Sequence, residues 1–360
     1  MDLKAAEKFR GFFFLASLFC AFFVIPATVH ADEENSKCFV CHGKVDFANP
    51  LKTGKVISLY INFKEFSETV HGKKLCTDCH TDVKQIPHRN VIGKVNCANQ
   101  CHFLGNPSGA PETMKYIEYK NSIHGKALFA GNHAAPQCQD CHGKHNIFKP
   151  SDTRSFDARE NIPKTCGKCH LQEYVDFNTS IHGTQFKAGN KDVPVCTSCH
   201  GEHNIFKPDD ARSTVSAEHI TKTCSACHDK VQIMEKYGIP TEQVATYDES
   251  FHGIAVEFGV KKAANCSSCH GYHDIRASED PGSSININNI PKTCGKCHPG
   301  ANVNFAKGKV HINPKSKESG IVYYISKAFM VLTVSTMLVL IIHIMLDLRK
   351  RMQKRKGNRE

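Results

Sequence analysis

Residues 138–170 read CQDCHGKHNIFKPSDTRSFDARENIPKTCGKCH, a segment that begins and ends with the motif Cys-x-x-Cys-His. The 360-residue chain carries this motif eight times, and a ninth copy has one extra residue between its Cys. Two thiols at this separation can form thioethers to the two vinyl groups of one haem, and the adjacent imidazole then reaches the iron as its proximal ligand. The motif therefore predicts covalently bound haem (haem c).

The nine motifs contain 18 of the 19 Cys in the chain. The longer motif, at Cys97 and Cys101, makes the expected number of haems nine, or eight if this motif binds none. The paired thiols are those of Cys38, Cys41, Cys76, Cys79, Cys97, Cys101, Cys138, Cys141, Cys166, Cys169, Cys196, Cys199, Cys224, Cys227, Cys266, Cys269, Cys294 and Cys297. The expected proximal ligands are His42, His80, His102, His142, His170, His200, His228, His270 and His298.

Other uses of paired Cys fit this pattern less well. Zinc sites use Cys-x-x-Cys but do not need a His after every second Cys. Structural disulfides have no reason to repeat one spacing eight times, and thioredoxin-like redox pairs occur singly. The pattern therefore favours haem over zinc, disulfides or a redox thiol pair.

A longer repeat surrounds the motifs. In three copies, Ser-x-His-Gly precedes a motif, with 14 residues from this His to the next Cys, and that motif continues as Cys-His-Gly-x-His. A second motif begins 28 residues after the first. With a degenerate earlier copy, the repeats cover about residues 66–102, 114–170, 172–228 and 242–298. The chain is thus expected to consist largely of di-haem repeats.

The repeats also supply spare His as distal ligands. Together with His311, which follows the last motif, they number nine, so we expect every iron to be six-coordinate with two His ligands. The sequence does not assign the pairs, because a distal His can come from another repeat. The expected distal ligands are His71, His88, His124, His145, His182, His203, His252, His273 and His311.

Two His remain outside this set. His133 and His219 align with Lys or Asn in other repeats, and we expect both to be surface residues. The alternative is that one of them replaces His88 or His311 as a ligand.

The two ends of the chain predict its compartment. Residues 1–31 combine Lys and Arg, an apolar stretch and a small-residue cleavage site, which is typical of a secretory signal, although an uncleaved anchor fits the same pattern. Residues 321–348 can span a bilayer as a transmembrane helix, after a linker at 312–320. The basic tail, 349–360, is then cytoplasmic by the positive-inside rule. We expect a single pass through the inner membrane, with residues 32–311 in the periplasm.

The middle of the chain is poor in core-forming side chains, since the two terminal apolar runs hold a large share of its 40% hydrophobic residues. The predicted fold class is therefore mainly irregular with short α-helices, in which closely packed haems form the core of a multihaem cytochrome c, plus one C-terminal transmembrane helix. Residues 112–123 and 171–181 have helical composition and lead into His-Gly, where Gly suits a helix C-cap. Loops rich in Gly, Pro, Asn and Asp separate such segments.

From residue 38 to about residue 345, the chain resembles the periplasmic multihaem c-type cytochromes. More narrowly, it is similar to the nine-haem c-type portion of inner-membrane quinol:cytochrome c oxidoreductases. The resemblance implies electron relay between a quinol-oxidising membrane subunit, such as a b-type cytochrome, and periplasmic or outer-membrane cytochromes. Because this chain has one predicted membrane helix, the b-type module is expected on a separate polypeptide.

Other functions remain open at this point. One is a membrane-tethered electron store without quinol coupling, and another is a multihaem oxidoreductase that acts on a nitrogen or sulfur oxyanion. An oxidoreductase of this kind needs an iron with an open axial position, whereas we expect two His ligands at every iron. We therefore expect no catalytic residues, and we regard the chain as an electron-transfer subunit more than as an enzyme in its own right. Much of the +11 net charge lies at the two ends, so it indicates topology and not nucleic-acid binding.

His343 lies within the predicted membrane helix, where an imidazole is costly and often functional. It could ligate a haem b shared with a neighbouring subunit. It could equally be an interfacial His beside Asp347 and the basic tail.

Overall fold

The computed structural model describes residues 31–50, 54, 56–88, 93–110, 113–308 and 310–357. Apart from Ala31, the predicted signal segment lies outside the described residues. Within them, the chain forms short α-helices joined by turns, and the described strands form one antiparallel pair, β1 (Ala48–Pro50) with β2 (Val56–Ser58). The expectation of a mainly irregular chain with short helices is confirmed.

The helices follow the order of the sequence motifs. Many motif Cys lie on short helices of their own, and the repeated His-Gly pairs lie on others. The helices are α1 (Ala31–His42), α2 (Phe63–Ser67), α3 (Cys76–Cys79), α4 (Cys97–Gln100), α5 (Thr113–Asn121), α6 (Ile123–Phe129), α7 (Cys138–His142), α8 (Ile162–Gly167), α9 (Leu171–Thr179), α10 (Ile181–Lys187), α11 (Cys196–His200), α12 (Ile220–His228), α13 (Val231–Lys236), α14 (Gln243–Asp248), α15 (Phe251–Glu257), α16 (Cys266–His270), α17 (Ile290–Gly295), α18 (Val303–Ala306) and α19 (Ile321–Gly357).

The chain divides into two compact units. The first unit contains the described residues up to Tyr116 together with Cys138–Ala158, and the second unit contains Ile117–Gln137 and the chain from Arg159 onward. All three boundaries fall inside the second sequence repeat, so this repeat contributes segments to each unit.

Few large apolar side chains are buried in the described residues. The largest side chains with almost no exposed surface are all serines, namely Ser122, Ser155, Ser180 and Ser283. The buried apolar residues are mostly small, with Phe148 and Met234 among the larger ones. This agrees with the scarcity of core-forming residues in the middle of the sequence.

The repeated Ser-x-His-Gly segment starts a helix and does not end one. Ser180 separates α9 from α10, donates to the Phe177 carbonyl (2.7 Å) and accepts from Gly183 N (3.0 Å) as the N-cap of α10. The expected C-cap role of this glycine was therefore wrong. A Cβ at Gly183 would overlap the Phe177 carbonyl oxygen, so glycine is needed because two consecutive helices approach closely.

The C-terminal helix is longer than predicted. Its segment Ile321–Lys354 has a mean hydropathy of 2.5 in its most apolar window, and none of that window is buried in the protein. It is long and apolar enough to cross a membrane. The predicted basic tail continues the same helix to Gly357, since Lys, Arg, Gln and Met all favour helix formation.

Candidate metal centres

The imidazole rings of the expected ligands lie together in pairs. Eight pairs each combine one expected proximal His with one expected distal His, at ring-centroid distances between 5.9 and 6.3 Å. The pairs are His42 with His88, His102 with His71, His80 with His145, His170 with His124, His228 with His182, His200 with His273, His298 with His252, and His270 with His311.

The constancy of this distance distinguishes the pairs from ordinary ring packing. The angle between the two ring planes ranges from 14° to 82°, whereas the centroid distance hardly changes. A metal held about 2.0 Å from one nitrogen of each ring places the two centroids about 6.3 Å apart, whatever the rotation of the rings about the metal–nitrogen bonds. The spacing is thus that of two imidazoles on opposite sides of one metal.

A simple rule connects the pairs to the repeats. The second motif of each repeat pairs with the His-Gly imidazole of the same repeat, as in His170 with His124. Where a pair includes the first motif of a repeat, the partner is a His from further along the chain, as in His200 with His273, which belongs to the next repeat. The sequence alone did not assign these pairs, and the rule implies that successive repeats within a unit are interlocked.

His142 and His203 are the expected ligands outside these eight pairs, and they belong to different units. In the first unit, His142 ends α7 and its Nδ1 lies 2.9 Å from a carboxylate oxygen of Asp157. In the second unit, His203 follows α11 in the Cys-His-Gly-x-His segment and is partly buried.

Hydrogen bonds to Nδ1 orient several of the imidazoles. His42 donates from Nδ1 to the Leu59 carbonyl (2.8 Å), and His142 does so to Asp157. The His311 ring bonds to the backbone of Gln243, and its Nδ1 lies 3.3 Å from the Thr246 hydroxyl. Metal-binding imidazoles typically use their second nitrogen in this way, which leaves Nε2 available to the metal.

Burial keeps many of these imidazoles neutral. It lowers the pKa of His145 and of His182 to about 4 in each case, because the surroundings disfavour the charged ring. Neutral imidazole is the form that binds metals, so these rings can act as ligands at neutral pH. Burial also lowers the pKa of His71, His80, His124, His200, His228, His270 and His311.

The Cys of neighbouring motifs also approach each other. In the first unit, the thiols of Cys97 and Cys138 hydrogen-bond, and Asn35 on α1 accepts from the Cys76 amide (2.9 Å). In the second unit, Cys166 hydrogen-bonds Cys196, where α8 packs against α11. Groups attached to neighbouring motifs would consequently lie next to each other.

The two His outside the ligand set have other surroundings. His133 is exposed. His219 is partly buried and donates from Nδ1 to the Ser213 carbonyl (3.0 Å). Since His88 and His311 each face a motif His, the structure does not favour either leftover His as a replacement ligand.

His343 is exposed on the apolar helix α19. The described part of the chain buries none of the apolar window of this helix. A ligand role for His343 would therefore depend on contacts with another chain. Asp347, four residues further on, forms an ion pair with Arg351 (2.7 Å).

The donor set fits haem better than a metal bound by protein alone. The described residues contain no group of three or more His, Cys, Asp or Glu that could hold a metal ion. A porphyrin supplies four nitrogens itself and needs only two axial ligands from the protein, whereas a structural zinc takes four protein ligands. Paired imidazoles beside paired free thiols match the first requirement.

Comparison with known proteins adds no family assignment. No family model matches the chain, and searches of curated proteins and of solved structures found no match.

Proposed function

We propose that this chain is a membrane-anchored multihaem cytochrome c that relays electrons between a quinol-oxidising membrane partner and periplasmic redox partners. The observation that carries the proposal is the set of eight imidazole pairs at 5.9–6.3 Å, each beside a Cys pair with haem-attachment spacing. Haem held in this way supplies reversible one-electron chemistry.

The residues of each motif have distinct roles in this proposal. The two Cys form thioethers, the following His provides one axial ligand, and the paired distal His provides the other. The longer motif at Cys97 takes part as well, because its His102 lies 6.1 Å from His71, like the imidazoles of the other pairs. This supports nine haems over eight.

The coordination favours electron transfer over substrate chemistry. Two imidazoles close both axial positions of an iron, so a substrate has no open site to bind. Eight of the nine motif His each face one distal His in the described part of the chain. The alternative of an oxyanion-converting enzyme therefore has less support than a relay.

The contacts between motifs support transfer from one site to the next. Cys166 meets Cys196, and Cys224 meets Cys266, in the second unit. The Cys266 thiol also lies 3.9 Å from the Thr221 hydroxyl of α12, the helix that carries Cys224. Sites this close allow an electron to pass between neighbours without a mobile carrier.

His311 identifies the proposed entry site for electrons. The His311 imidazole faces that of His270, which belongs to the eighth motif. The eighth site, and not the ninth, therefore contains the His that precedes the linker to α19. Nine residues separate His311 from Ile321, a distance of at most about 30–36 Å. Asn313 binds Glu242 (2.7 Å) and Lys315 binds Glu249 (2.9 Å), which ties this linker to the second unit.

The test is to isolate the protein from membranes with its partners, count its haems and measure reduction by quinol. His311→Ala should slow reduction by quinol while leaving reduction by dithionite intact. His133→Ala, at an exposed site with no predicted ligand role, is the matched control. Equal quinol rates in the three proteins would refute the entry site. Absence of haem from the isolated protein would refute the proposed function itself.

A further inference from the structure

Helix α15 presents a row of exposed apolar side chains. Phe251 is 86% exposed, Ile254 43% and Phe258, directly after the helix, 81%. Their spacing of three and four residues places them on one face of the helix. Single exposed apolar residues are common in proteins, but three aligned ones that include two Phe require an explanation.

The row is absent from the equivalent helices of the earlier repeats. The same three positions hold Ile123, Lys126 and Ala130 at α6, and Ile181, Thr184 and Ala188 at α10. All three helices carry a His at their second position, and each of these His has its imidazole partner. Ligand binding therefore does not require the row.

The exposure of Phe251 follows from its place at the end of the repeats. In earlier copies, the first amide of the helix bonds to a later repeat, Ile123 N to the Ile205 carbonyl (2.8 Å) and Ile181 N to the Ile275 carbonyl (2.7 Å). No further repeat follows the fourth in the sequence. Accordingly, Ile181 is only 39% exposed, less than half the value for Phe251.

The row lies close to the start of the membrane helix. Lys315 forms an ion pair with Glu249 (2.9 Å), which is two residues before Phe251. Lys315 is itself six residues before Ile321, where α19 begins, so the chain between them spans at most about 20 Å. The start of α19 is therefore held within this distance of the Lys315–Glu249 pair beside α15.

We propose that Phe251, Ile254 and Phe258 insert into the headgroup region of the bilayer that α19 crosses. The inference rests on the membrane anchoring in the proposed function. Phe and aliphatic side chains on one face of a surface helix bind the boundary between headgroups and acyl chains. Lys262, which is exposed, follows the row closely and can meet anionic lipid headgroups, whereas the neighbouring Lys261 pairs with Glu218 (2.9 Å).

Insertion would fix the orientation of the second unit. His252 lies on α15 between Phe251 and Ile254 and faces His298, so the ninth site would also lie at the membrane surface. α19 alone gives the unit a single attachment to the bilayer. A second contact with the bilayer would keep the eighth and ninth sites turned toward a membrane partner.

The experiment places the photo-crosslinker p-benzoylphenylalanine at position 258 of the full chain in lipid nanodiscs containing anionic lipid. The matched control carries it at position 188, the exposed equivalent after α10. We expect at least about fivefold more lipid adduct at position 258 than at position 188. Equal yields at the two positions, or adducts at 258 with polypeptide only, would overturn the inference.

A second measurement removes the row. The double variant Phe251→Ser, Phe258→Ser should lose most of the quinol-driven reduction rate at unchanged haem content, whereas Ile181→Ser, Ala188→Ser should keep it. An unchanged rate in the first variant would contradict the orienting role. If neither variant nor the unaltered protein is reduced by quinol while lipid adducts form at 258, the proposed function fails and the membrane contact stands.

Discussion

His219 and Asn289 occupy equivalent places in successive repeats and make the same hydrogen bond with different side chains. His219 donates from Nδ1 to the Ser213 carbonyl (3.0 Å), and Asn289 donates from Nδ2 to the Ser283 carbonyl (2.9 Å). Both residues directly precede a helix that leads to a motif. The imidazole of His219 thus stabilises a turn, which an amide does equally well.

We therefore expect His219→Asn to keep every haem and the stability of the protein. His219→Ala should lower the free energy of unfolding by about 1 kcal/mol, because the Ser213 carbonyl loses its side-chain donor and keeps only the Ser216 amide. Denaturant unfolding and haem quantification provide the measurement. Loss of a low-spin haem signal in His219→Asn would instead identify this residue as a ligand.

Gly183 is needed for space and not for a left-handed backbone. A Cβ at this position would overlap the Phe177 carbonyl oxygen, and Gly125 and Gly253 meet the same obstacle in their own repeats. Gly183→Ala should therefore destabilise the protein by about 1–3 kcal/mol, the usual cost of overpacking. Gly295→Ala is the control, since a Cβ there meets no atom within 4 Å. Similar unfolding free energies for the two variants would contradict this account.

At the scale of elements, the pairing rule separates the two kinds of distal His. His124 serves the second motif of its own repeat by facing His170, whereas His145 faces His80 of the preceding repeat. Replacement of a distal His is thus expected to change the axial ligand of a site whose motif can belong to another repeat.

His145→Met should raise the reduction potential of the haem proposed at Cys76 and Cys79, because a Met axial ligand favours the reduced iron relative to His. A potentiometric titration of the full protein would detect the shift of one component. The shift should disappear when Cys76 and Cys79 are both replaced by Ser, since the affected haem is then missing. Its persistence in that background would show that the pairing is wrong.

At the scale of the molecule, α19 is the part that the rest of the chain leaves uncovered. None of its apolar window is buried within the protein, although the window is strongly apolar. A helix of this length and composition can cross a membrane.

Alkaline carbonate should accordingly leave the full chain in the membrane fraction. A chain that ends at Gly320 should be released as a soluble protein with its haem content unchanged, because the described imidazole pairs all precede that residue. Release of the full chain by carbonate would contradict the anchor. Loss of haem from the shortened chain would show that α19 also supports the haem sites.

Part of this organisation could be predicted from the sequence because it depends on residues close together in the chain. The attachment motifs, the repeat length and the apolar helix are all local patterns, and every imidazole in the eight pairs belongs to the predicted ligand set. The reason for the glycine in the His-Gly pair could not be predicted in this way. Glycine is required there because a carbonyl oxygen of the preceding helix occupies the place of a Cβ, and not because of the dihedral angles of the glycine itself.

The partner of each imidazole depended on the tertiary structure. His270 faces His311, and His200 faces His273, across long stretches of sequence that contain other His of the same kind. Local spacing is identical for His145, His203 and His273, so it cannot select among them. Only the packing of the folded chain, within one repeat for His170 with His124 and between repeats for His200 with His273, brings two particular rings to opposite sides of one site. Where the repeats end, the contacts between them also end, and Phe251 is left exposed.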